Sequence, residues 1–129
     1  MHYKKVLRNE RDLLHCENNC AIERKDGTKE WWVNGVRHRE DGPAIEHADG
    51  SKEWWINGRY HRLDGPAFEW VDGRKWWYLN GKIIKHEDFL TEVVMFLLNC
   101  NRQSADILLN TILANDLKEQ DELWAEQLR

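Results

Sequence analysis

Two four-residue strings carry the side-chain types of acid–base catalysis: His38-Arg39-Glu40-Asp41 and His61-Arg62-Leu63-Asp64. A histidine with an aspartate three residues on can serve as base and orienter. Yet the string stands twice at an offset of 23 residues, and a third copy, Ile84-Lys85-His86-Glu87, has lost the pattern. A catalytic centre is ordinarily built once, whereas a structural solution recurs in every unit of a repeat. The expected roles are therefore structural. The aspartate opens an Asp-Gly-Pro turn, the arginine pairs with Glu23, Glu46 or Glu69, and the histidine packs on tryptophan. His15, Cys16 and Cys20 place three metal-ligating side chains within six residues. Structural zinc draws on two close ligand pairs, and no second pair is visible, so the thiols are expected to be buried in a cap and no metal is expected. The chain holds only two serines, Ser51 and Ser104, neither within an elbow motif, and no glycine-rich phosphate loop leads from a strand into a helix. The expectation is a protein without catalytic residues or cofactor, not an enzyme.

What positions these strings is a sentence written three times. From Ala21 the chain reads A-I-E-R-K-D-G-T-K-E-W-W-V-N-G-V-R-H-R-E-D-G-P, from Ala44 A-I-E-H-A-D-G-S-K-E-W-W-I-N-G-R-Y-H-R-L-D-G-P, and from Ala67 A-F-E-W-V-D-G-R-K-W-W-Y-L-N-G-K-I-I-K-H. A fixed period of this length marks a supersecondary unit that buries its apolar side on its neighbours. Asp-Gly (Asp26-Gly27, Asp49-Gly50, Asp72-Gly73) and Asn-Gly (Asn34-Gly35, Asn57-Gly58, Asn80-Gly81) tolerate positive φ and close tight hairpins. Short runs such as Lys29-Glu30-Trp31-Trp32-Val33 favour strands. Sliding His15-Cys16-Glu17-Asn18-Asn19-Cys20-Ala21 under His38 to Ala44 makes residues 1–20 a degenerate capping repeat. Residues 21–85 then hold three full repeats, and the whole reads as an antiparallel β-meander.

From residue 86 the hydrophobic period changes from two to about 3.6. Phe89, Val93, Phe96 and Cys100 form one stripe; Asn99-Cys100-Asn101 ends that helix. Ser104 is the expected N-cap of a second, and Asp116 with Glu119 has the form that can start a third, carrying Leu117, Trp124 and Leu128. The fold class expected is α+β: 23-residue hairpin repeats followed by two or three C-terminal α-helices. With no low-complexity linker between them, the 129 residues are read as a single domain, residues 86–129 being an acidic helical segment that covers one face of the sheet.

The formal charge of −4 is unevenly spread: from His86 onward nine acids face three bases. No apolar run approaches the roughly 20 residues that cross a bilayer, and no signal peptide follows Met1, so a cytoplasmic protein without membrane association is expected. Three cysteines fit reduced thiols. Seven of the eight tryptophans lie within the repeats. Strand alternation places Trp31 with Val33 on one face and Glu30 with Trp32 on the other. Trp32, Trp55 and Tyr78 thus form a recurring aromatic row, the candidate partner-binding surface together with Arg59, Tyr60 and Arg74. Basic residues interleaved with aromatics, as in Arg59-Tyr60-His61-Arg62 and Arg74-Lys75-Trp76-Trp77, also suit nucleic acid. An acidic chain with no dominant basic face argues against that partner.

The string W-W-x-N-G-x-x-H-R-x-D-G-P-A resembles tandem repeats of many small bacteriophage and bacterial proteins, and is similar in period and glycine placement to the MORN repeat, a β-hairpin unit of about this length. The resemblance spans Ala21 to Gly81. MORN units carry G-x-G after the histidine where this chain has Arg39-Glu40-Asp41-Gly42 and Arg62-Leu63-Asp64-Gly65, so the MORN association with membrane lipid is not carried over. The resemblance implies a binding scaffold. The function expected is a non-enzymatic protein-binding module, a phage product that docks on and inhibits a host-cell protein such as a defence component. The alternative is a glycan- or nucleic-acid-binding module using exposed tryptophans, and the aromatic row could equally join copies of the chain as a homo-oligomer.

Overall fold

The computed structural model describes residues 2–128, and the side chains of Leu117, Glu119, Gln120 and Asp121 lie outside what it describes. The fold is α+β. The chain divides into two compact units, Met1–His86 and Glu87–Arg129.

The first unit is built of short strands: β1 (Tyr3–Val6), β2 (Ile22–Arg24), β3 (Lys29–Glu30), β4 (Trp32–Val33), β5 (Val36–Arg37), β6 (Ile45–Glu46), β7 (Lys52–Glu53), β8 (Trp55–Ile56), β9 (Arg59–Tyr60), β10 (Phe68–Glu69), β11 (Lys75–Leu79) and β12 (Lys82–Ile84). Eight form one antiparallel sheet in the order β1-β2-β3-β6-β7-β10-β11-β12, while β4-β5 and β8-β9 are separate hairpins. Each full repeat supplies two hairpins. At the Asp-Gly hairpin only the glycine takes positive φ, as at Gly27 with φ 98°, while Asp26 accepts the Thr28 N–H at 2.8 Å. At the Asn-Gly hairpin both residues do, Asn34 at 47° and Gly35 at 82°, the pairing a two-residue type I′ turn requires.

The tryptophan-bearing segment, expected as one strand, is split at its first tryptophan. Trp31 donates its N–H to Ala44 O at 2.7 Å and accepts His38 N–H at 3.2 Å, so one residue belongs to two ladders. Trp54 repeats this with Ala67 and His61 at 2.7 and 3.1 Å. In the third repeat β11 runs unbroken through Trp77, which pairs with Ile84. The Asn-Gly hairpins are tied to one another as well: Arg39 N–H bonds Trp55 O at 3.1 Å and Gly58 N–H bonds Arg37 O at 2.9 Å.

The N-terminal segment follows the same wiring. Cys16 N–H bonds Trp32 O at 3.0 Å, and Leu7 takes the place of Trp31, donating to Ala21 O and accepting from His15. A three-residue loop, Glu10-Arg11-Asp12, replaces Asn-Gly. Stacking leaves room only for a methyl where units meet: Ala21, Ala44 and Ala67 are fully buried, flanked by Ile22 and Ile45. Thr28 and Ser51, also buried, accept the N–H of Ala48 and Val71, tying each Asp-Gly turn to the next.

The second unit opens with a 3-10 turn (His86–Asp88), then α1 (Phe89–Leu98) and α2 (Arg102–Gln127). Asn99 ends α1 in the left-handed conformation. The N-cap of α2 is Asn101, whose side chain accepts Ser104 N–H at 2.9 Å; Ser104 is therefore inside the helix, the asparagine having claimed the capping position first. No third helix starts at Asp116: α2 passes through it unbroken. The expected roles of Leu117 and Glu119 lie outside the described side chains. Arg102 ties α1 to α2 by ion pairs to Glu92 at 2.7 Å and Asp88 at 3.4 Å. Among the described residues no helix is long and apolar enough to cross a membrane.

Candidate functional site

The pairing register lays one row across the sheet: Ile22 opposite Glu30, Glu30 opposite Ile45, Ile45 opposite Glu53, Glu53 opposite Phe68, Phe68 opposite Trp76. Two carboxylates in such a row, 3% and 6% exposed, need partners, since burying an unpaired charge is expensive. Each repeat supplies them from the residue six before and the residue seven after. Glu30 accepts from Arg24 at 2.9 Å and Arg37 at 3.5 Å. Glu53 contacts His47 Nε2 at 2.5 Å and accepts the Tyr60 hydroxyl. In the third repeat the same positions hold Trp70, Trp76 and Ile83. The row thus runs from an arginine-carboxylate cluster through a mixed one to an apolar end, where Trp76 is 46% and Ile83 59% exposed.

Rings fill the space between these clusters. The Arg37 guanidinium lies 5.0 Å from the Trp32 ring and 5.2 Å from that of Trp55. Trp55 meets Tyr60 at 3.9 Å between centroids, Tyr60 stacks on Tyr78 at 4.9 Å, and Phe68 stacks on Trp70 at 3.7 Å. Arg74 closes the series 4.8 Å from Trp70, ion-paired with Asp72. Of the sequence-predicted partner residues, Trp32, Trp55, Tyr60 and Tyr78 are brought together, and Arg74 stands at the end of the same run. Arg59 does not join them; next to Tyr60 in β9 it points to the opposite side, its stem lying beneath Gly81. Sequence reasoning assigned no role to Glu53 or Ile83, placed Glu30 on the Trp32 face without a partner, and read Trp76 only as part of a basic-aromatic string. The signal was present: at the fixed offset, Trp76 replaces a glutamate that both earlier repeats share.

Burial and the Glu53 carboxylate push the Tyr60 hydroxyl far above its ordinary range, because a phenolate there would face a buried anion. Arg24 is held charged by its hydrogen bond to Glu30. Three buried N–H groups, Trp32 Nε1, Trp55 Nε1 and Arg37 Nε, are without a hydrogen-bond partner among the described residues.

The His-Arg strings lie on the other side of the tryptophan pair. Arg39 is 3.9 Å over the Trp31 ring and bonds Asp41, Glu46 and Pro43 O. Arg62 repeats the set with Trp54, Asp64, Glu69 and Pro66 O. The expected pairings of arginine with Glu46 and Glu69 are thus present. The histidines differ from expectation: His38 and His61 accept the N–H of Asn57 and Asn80 at Nδ1, at 3.0 and 2.8 Å, and His15 does so for Asn34. His86 stacks on Trp77 at 4.3 Å between ring centroids. Such a backbone bond fixes the Nε2–H tautomer and latches each Asn-Gly turn to the preceding unit. Ser51 is spent on Val71 N–H, Cys20 is buried, and among the described residues no group of three His, Cys, Asp or Glu side chains could hold a metal ion.

Comparison with known proteins gives no match: neither a protein-family model, nor a curated protein, nor a solved structure matches the chain.

Proposed function

We propose that the repeat unit is a non-enzymatic protein-binding module whose binding face is the aromatic row. The observation that carries this reading is the gradient along that row, which ends in the apolar residues Trp76 and Ile83, 46% and 59% exposed. Large aromatics beside guanidiniums are the side chains that dominate protein–protein interfaces, and an exposed apolar end suits a partner surface. A partner would seat its apolar residues on Trp76 and Ile83 and its polar groups towards the Glu53 and Glu30 clusters.

The test is affinity capture with the intact chain, identification of the captured protein, and titration of that purified protein into Trp76→Ser/Ile83→Ser. Trp76 and Ile83 stand at the exposed end, so circular dichroism should be unchanged while affinity falls at least tenfold. Equal affinity in the variant removes the reading.

A further inference from the structure

The side of the array that carries the His-Arg strings holds two clefts, of about 610 and 670 Å³, that are the same cleft built twice. One is floored by Trp31 and Val33, the other by Trp54 and Ile56, and each is walled by one Asp-Gly-Pro segment or its N-terminal counterpart and the next His-Arg string. Every lining residue of the first has its match 23 positions on in the second, down to Cys16 and Arg39. This surface is separate from the aromatic row, and its chemistry is independent of whatever that row binds.

Two features define what fits. The first is spacing. Each repeat adds two strands to the large sheet, and strands lie about 4.8 Å apart, so the clefts recur at about 9.6 Å. A polyproline II chain rises about 3.1 Å per residue, which brings every third side chain to about 9.3 Å. The second is charge. The acids lining the two clefts are Glu17, Glu40, Asp41 and Asp64, against the two guanidiniums of Arg39 and Arg62. Each of these arginines is already shared between two carboxylates. Glu17 and Glu40 stand at the rims with side chains 80% and 84% exposed, 3.7 Å from His15 Nε2 and 3.5 Å from His38 Nε2.

We propose that the paired clefts seat an extended, basic, proline-containing peptide segment, lying across the repeats with one basic side chain per cleft at every third residue. The aliphatic stem of the lysine or arginine lies on Val33 or Ile56 beside the tryptophan whose ring Arg39 or Arg62 covers, and its charge meets the carboxylate rim. Intervening prolines hold the chain extended at low entropic cost, the basis of polyproline recognition by aromatic-lined grooves.

The probes are three synthetic peptides titrated into the full chain at physiological salt: (Lys-Pro-Pro)4, the period-two (Lys-Pro)6, and (Glu-Pro-Pro)4. The expected result is that (Lys-Pro-Pro)4 binds at least tenfold tighter than either other peptide and perturbs the NMR signals of Trp31 and Trp54. The double variant E17K/E40K, altered only at exposed side chains, should weaken that binding at least tenfold with an unchanged circular dichroism spectrum. A second variant, Ile56→Trp, fills one cleft and should weaken it independently of charge. No binding, equal affinity for both lysine spacings, or binding that survives E17K/E40K would overturn the proposal. None of these outcomes bears on the Trp76 and Ile83 test.

Discussion

Glu53 shows how one buried residue decides the character of a repeat. Its carboxylate is held by Tyr60 and His47, and Tyr60 passes the contact on to Trp55 and Tyr78. Tyr60→Phe removes a hydrogen bond to a buried charge and should cost about 1.5–3 kcal/mol, read from urea unfolding at pH 7. The same residue governs alkaline behaviour. Its folded pKa is raised above the ordinary 10.0, so stability is intact below pH 10 and is lost above it as the unfolded phenol ionises first. The decline should be shallower in Tyr60→Phe, measured as urea midpoints between pH 9 and 11. His61 has the opposite sign. Burial holds its imidazole below the ordinary 6.5, and its Nδ1 must stay unprotonated to accept Asn80 N–H. The unfolded state therefore takes up the proton first, and stability falls as pH drops from 7 towards 5. His61→Asn keeps an acceptor without the titration and should flatten that part of the profile.

At the scale of elements, hairpins and helices were legible to different depths. The Asp-Gly and Asn-Gly turns follow from backbone chemistry alone, and they close where the sequence places them. The start of α2 did not follow, because Asn101 and Ser104 are both good caps and only geometry chooses between them. The choice is testable: Asn101→Ala should cost about 1 kcal/mol, while Ser104→Ala should cost a few tenths at most, both by thermal or urea unfolding. The split of the tryptophan segment was equally hidden. A strand is read as having one neighbour on each side, and nothing in Glu-Trp-Trp-Val says that Trp31 hands its N–H to one ladder and its carbonyl to another.

At the scale of the whole chain, the 23-residue period makes the repeat unit modular: each repeat bonds the next through the same groups. Deleting residues 44–66 joins Pro43 to Ala67, the residue that takes Ala44's place one unit on. The shortened array should fold with the same far-ultraviolet spectrum and a lower urea midpoint, whereas deleting 44–60, out of phase, should leave it unfolded. The sequence by itself determined the α+β class, the period, the turn positions and the degenerate N-terminal unit, because these are written in local residue chemistry and simple recurrence. Tertiary structure alone decided which side chains share a face. Glu30 reads as a solvated strand residue until cross-strand pairing sets it opposite Ile22 and Ile45, between two arginines. Arg59 likewise lies on the opposite side from Trp55, Tyr60 and Tyr78, because facing depends on strand alternation and register, and Trp76 and Ile83 are exposed in the third repeat where Glu53 and Tyr60 are covered in the second.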